Sequence, residues 1–80
     1  MCRSIHRLYN IHPPVTTEEI FDSARQYVRK ISGTTKPSRA NLAAFNSAVQ
    51  EVADVSIRLL GELVSSAPPR DRALEVARRR

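Results

Sequence analysis

The sequence of 80 residues has one cysteine, two glycines, two tyrosines, two phenylalanines and no tryptophan. A single cysteine excludes an internal disulfide, and so few aromatic side chains leave no platform on which nucleic-acid bases would stack. No run approaches the roughly 18 uninterrupted apolar residues of a membrane span, and the first residues lack the apolar core of a signal peptide. We therefore expect a cytoplasmic protein with no membrane segment.

The charge is positive, +5 in total, and it is unevenly placed. Residues 70–80 contain five arginines against two carboxylates, the segment around residue 36 is also basic, and residues 42–62 carry three acidic side chains against one arginine. Such a distribution permits weak binding to nucleic acid. It is equally typical of ordinary solubilising charge.

A first helix is predicted over residues 17–32. Thr16, with Glu19 three residues later, has the pattern of a capping box, and Val15 can pack on Ile20 as a hydrophobic staple. Apolar residues then recur at helical spacing up to Ile31. Gly33 supplies the left-handed residue that commonly ends a helix.

A longer second helix is predicted over residues 38–65, with Ser38 as its N-cap. Its apolar positions follow the helical period, and they spread over an arc nearly twice as wide as one packing partner covers. The wide arc predicts that the chain self-associates, with a homodimer as the commonest solution. The apolar positions are Leu42, Phe45, Val49, Val52, Leu59 and Leu63.

The fold class predicted is all-α. A short connection between the two helices indicates an antiparallel helical hairpin, with residues 1–12 as an N-terminal arm. Pro68 and Pro69 end the second helix, so residues 1–66 form one helical domain. Residues 67–80 form a basic tail, either irregular or a short helix, since two turns are marginal alone.

Three segments in this order resemble a known family: residues 1–5 (MCRSI), 26–33 (QYVRKISG) and 36–41 (KPSRAN). With the intervening Pro13-Pro14 pair, the chain resembles the short bacterial proteins grouped as domain of unknown function 2277. The resemblance covers roughly residues 1–65 and leaves the basic tail outside. It implies a small helical cytoplasmic protein and brings no activity, cofactor or catalytic residue.

Cys2 and His6 lie about one helical turn apart and are the minimal pair for a thiol nucleophile with a base. No third group is evident to orient the histidine, so we favour Cys2 as a small residue packed against the core. Adding His12 gives three candidate zinc ligands. A structural site normally has four, and we expect no metal.

The segment between the helices combines hydroxyl and basic side chains at the start of a helix, where free N–H groups attract anions. The residues concerned are Lys36, Ser38 and Arg39, with Arg29 and Lys30 just before them. The alternative is that Ser38 only caps the helix and that the cations are solvated.

Three classes of function follow from these patterns. The leading one is a non-enzymatic interaction module, acting as a homo-oligomer or as an accessory subunit on a protein partner. The second is an anion or nucleic-acid binder that uses residues 33–41 and the basic termini. The third is a thiol-dependent enzyme centred on Cys2. No residue is assigned a catalytic role, because Glu18 and Glu19 belong to a helix start, and no cofactor is expected.

Overall fold

The first helix, α1, forms where its capping signals predict it. In the computed structural model, which describes residues 5–79, α1 spans Thr17–Ser32. The Glu19 N–H donates to Thr16 Oγ1 at 3.1 Å, and the Thr16 N–H donates to Glu19 Oε1 at 2.9 Å, which completes the capping box. Gly33 ends the helix at φ 70°, with its N–H donating to the Arg29 carbonyl. The predicted start and end of this helix are confirmed.

The second helix, α2, is shorter than predicted at both ends and spans Leu42–Glu62. Ser38 is not its N-cap: the Asn41 N–H donates to the Ser38 carbonyl three residues back, so residues 38–41 form a separate turn. At the other end, Leu63 is already extended. The Ser65 hydroxyl then accepts from the Ala67 N–H, a local bond that competes with helix continuation.

The core lies between α1 and α2 and is small. Two of its five buried residues are alanines, Ala24 at 2% exposure and Ala53 at 0%. These small side chains leave little apolar volume in the core. Leu8 of the N-terminal arm and Val15 pack on the edge. The other three members of the core are Ile20, Val28 and Val49.

The arm and the tail pair with each other, which the sequence did not predict. Strand β1 (Ile11–His12) lies parallel to strand β2 (Arg70–Asp71), in a sheet of two short strands. Asn10 comes just before β1 with a φ of 54°, a left-handed conformation that asparagine tolerates better than most residues. Its side-chain Nδ2 donates to the Ala67 carbonyl at 3.1 Å, and its own carbonyl accepts from the Arg70 N–H at 2.9 Å.

A third helix, α3, follows β2 directly and spans Arg72–Arg79. The Ala73 N–H donates to Asp71 Oδ1 at 2.8 Å, which caps its first turn. The Arg72 guanidinium forms an ion pair with Glu19 of α1. The fold is thus mostly helical, as predicted, and the helical option for the tail is confirmed. The small parallel sheet is an addition, and the division into a domain 1–66 and a tail 67–80 stays a prediction.

Changing Asn10 tests how the tail is attached. Asn10→Ala removes the side-chain hydrogen bonds and places an alanine in a left-handed conformation. Each of the two effects should lower the free energy of unfolding by about 1 kcal/mol. Asn10→Gly loses the bonds but accepts the backbone angle. We expect hydrogen exchange at the amides of residues 70–73 to accelerate in both variants, and more in Asn10→Ala. Wild-type protection in the alanine variant would contradict this attachment.

Candidate functional site

The arm, the start of α1 and α3 enclose a pocket of about 470 Å³. It is called the arm–tail pocket below. Its walls mix apolar side chains with two arginines, a histidine and one carboxylate. The lining residues are His6, Arg7, Leu8, Ile11, Pro13, Glu19, Arg72, Ala73 and Val76.

Glu19 is the anchor of this pocket because it belongs to two structures at once. Its Oε1 accepts from Thr16 in the capping box, and its Oε2 accepts from Arg72. The hydrogen bond from the Thr16 backbone, and then Arg72, hold the pKa of the Glu19 carboxyl below its ordinary value of 4.5. The side chains of Glu19 and Arg72 are 35% and 29% exposed, so solvent screens much of their attraction.

Arg7 lies on the arm side of the pocket. Its Nε donates to the Tyr9 carbonyl at 3.0 Å, which holds the side chain close to the arm. The residue is exposed. The carboxylate of Glu19 is already neutralised by Arg72, so Arg7 gives the pocket a net positive charge.

A second concavity, about 310 Å³, lies where the arm meets both helices, and it is mainly apolar. Tyr27 of α1 and Leu59 of α2 both line it and are 46% and 52% exposed. Ile31, one turn after Tyr27, is 67% exposed, and Val55, one turn before Leu59, is 52% exposed. These four residues are called the apolar face.

The segment predicted to bind anions differs from its expected form. Lys30, Lys36, Ser38 and Arg39 are exposed, and Arg29 is half-buried with no hydrogen-bond partner for its Nε among the described residues. Because α2 begins at Leu42, Ser38 and Arg39 do not stand at its first free N–H groups. One premise of the anion site is therefore wrong, and binding at these residues stays a prediction.

Cys2 lies outside the described residues, so the thiol pair with His6 stays a prediction. His6 is exposed at the mouth of the arm–tail pocket, and His12 is exposed on β1. Within residues 5–79, no three His, Asp or Glu side chains come together as metal ligands would. In the same range, no helix has the length and apolar character that crossing a bilayer requires.

The sequence patterns did not indicate the arm–tail pocket, because they place Glu19 only at a helix start. The two arginines that line the pocket, Arg7 and Arg72, are 65 positions apart in the chain. One local signal was present: Asp71 after a proline pair has the residue type of an N-cap. It indicates where α3 begins, but not that the tail would return to α1.

The model of the family described as "Uncharacterized conserved protein (DUF2277)" matches residues 1–78. The chain belongs to this family. The match confirms the resemblance seen in the sequence and extends past residue 65, so the tail is part of the DUF2277 pattern. No curated protein and no solved structure matches the chain.

The link between α3 and Glu19 can be measured by titration. In Arg72→Ala, we expect the pKa of Glu19 to rise but to stay below its ordinary value, since the larger contribution from Thr16 remains. A carboxyl with a lowered folded-state pKa stabilises the fold at neutral pH, and this stability is lost as the pH falls through that pKa. As the pH is lowered, the free energy of unfolding should therefore fall less in Arg72→Ala than in the wild type.

The control is Arg25→Ala, which removes the exposed pair between Arg25 and Asp22 within α1. It should leave the Glu19 titration, followed by carboxyl-carbon NMR, unchanged. An unchanged Glu19 titration in Arg72→Ala would show that the contact does not persist in solution.

Proposed function

We propose that this DUF2277 protein is a small non-enzymatic interaction module of the cytoplasm that works as a homodimer. The observation that carries the proposal is the apolar face. Its four residues, Tyr27, Ile31, Val55 and Leu59, are large, apolar and each about half exposed or more. Contiguous apolar patches of this kind commonly mark protein interfaces.

The face extends across α1 and α2, which we propose form an antiparallel hairpin joined by residues 33–41. Tyr27 and Leu59 meet in one groove, and the buried α1–α2 core lies directly beneath them. A rigid two-helix surface needs little reordering on association, which lowers the entropic cost of binding.

The arm supports the proposal by what it leaves uncovered. Leu8 packs on the edge of the core and Leu60 is half-buried, yet Val55 and Leu59 are each 52% exposed. Three arm residues, Ile5, His6 and Leu8, line the groove beside Tyr27 and Leu59, yet both of these side chains stay about half exposed. A second copy is the simplest supplier of the missing cover.

Charge at the rim favours a second copy over an unrelated partner. Glu51 lies one turn before Val55, and Glu62 one turn after Leu59, while Lys30 lies one turn after Tyr27. Arg58, one turn after Val55, lies between the two glutamates, so the border on α2 carries a net charge of −1 from two acidic residues and one basic residue, and the border on α1 is basic. A two-fold axis parallel to the helices would bring each border against the opposite border of the partner, which is the arrangement that these charges favour.

The proposal is tested by sedimentation at tens of micromolar. We expect the wild type to be a dimer, and Val55→Glu combined with Leu59→Glu to be a monomer with unchanged helical circular dichroism. Burying four carboxylates in a symmetric apolar interface costs far more than the contacts return.

The matched control is Val64→Glu, the same substitution at a residue that is 95% exposed and beyond the end of α2. It should remain a dimer. A wild-type monomer, or a dimer that survives the double substitution, would overturn the proposal. A wild-type monomer would leave the role of an accessory subunit on another protein as the next hypothesis.

A further inference from the structure

We propose that the arm–tail pocket binds a small organic carboxylate with an apolar body. This inference is independent of the dimer, because none of the four residues of the apolar face lines the pocket. It assigns a ligand-binding role to Arg7 and Arg72, which the sequence patterns did not single out. It needs no contribution from residues 33–41.

The charges in the pocket favour a single negative charge. Arg72 and Glu19 neutralise each other through their ion pair. Arg7 donates through Nε to Tyr9, and its two terminal nitrogens have no hydrogen-bond partner among the described residues. A guanidinium offers paired N–H donors that match the two oxygens of a carboxylate. Inorganic phosphate has no apolar body to occupy the apolar part of the pocket.

The rest of the pocket is suited to an apolar body. Five lining residues are apolar and come from residues 8–13 and from α3, so a chain or ring between them would lose contact with water on two sides. The volume of about 470 Å³ is within the usual range for small-molecule sites. The five residues are Leu8, Ile11, Pro13, Ala73 and Val76.

The pocket also depends on the attached tail. Ala73 and Val76 belong to α3, which is placed by the β1–β2 pairing and by the contact between Arg72 and Glu19. A ligand that touches both the arm and α3 binds only when the tail is attached, and it must therefore stabilise the attachment. Ligand binding should slow hydrogen exchange in residues 70–76.

The test uses hexanoate as the probe and follows amide chemical shifts of the full chain at low salt. We expect saturable binding in the millimolar range, as for a ligand of this size, with shifts centred on Leu8, Ile11, Ala73 and Val76. Hexanol and hexylamine, which have the same apolar body without the negative charge, should bind at least fivefold more weakly. Inorganic phosphate should not give this pattern.

Two variants separate the pocket from general attraction to a basic protein. Arg7→Gln should weaken hexanoate binding at least fivefold, whereas Arg58→Gln, an equal change of charge on α2, should not. Ala73→Phe fills the pocket and keeps every charge, so it should also abolish the shifts. Folding of each variant is checked by its α1 and α2 amide signals.

Three results would overturn the proposal. One is the absence of saturable shifts with hexanoate in the wild type. Another is shifts confined to residues 33–41, which would place anion binding at the segment between the helices. The third is equal affinity in Ala73→Phe, which would show that the cavity is not the site.

Discussion

The small size of the core between α1 and α2 is the constraint on which the rest of this structure depends. Two of its five buried residues, Ala24 and Ala53, are alanines, which keeps the buried apolar area small. A chain of 80 residues has a marginal core in any case. Stability must therefore come from surfaces outside the two-helix contact.

The arm and the tail supply one such surface. Asn10 joins them by backbone and side-chain hydrogen bonds, and Arg72 joins the tail to Glu19 at the start of α1. Glu19 thus links the local capping of a helix to the long-range attachment of the tail. The same arrangement encloses the arm–tail pocket, so the attachment that stabilises the fold also shapes the proposed ligand site. None of the four residues of the apolar face lines that pocket, and we propose that a second copy covers them.

Local signals in the sequence predicted what depends on neighbouring residues. Thr16, Glu19 and Gly33 defined both ends of α1, because caps act within one turn. The predicted ends of α2 were wrong. At the start of the helix, residues 38–41 have types that suit a helix N-terminus, but the hydrogen bond from the Asn41 N–H to the Ser38 carbonyl makes them a separate turn. The β1–β2 pairing and the contact between Glu19 and Arg72 join residues more than 50 positions apart, and no periodicity encodes such pairs. The arm–tail pocket depends on these two contacts, so it could not be predicted from the sequence either.

We propose that the α1–α2 core folds in a single copy and gains stability from a second copy on the apolar face. The most direct test is the thermal unfolding midpoint of the wild type over a hundredfold range of protein concentration. Dimerisation linked to folding predicts a midpoint that rises steadily with concentration, because mass action favours the folded dimer. A midpoint that stays constant across that range would contradict the claim.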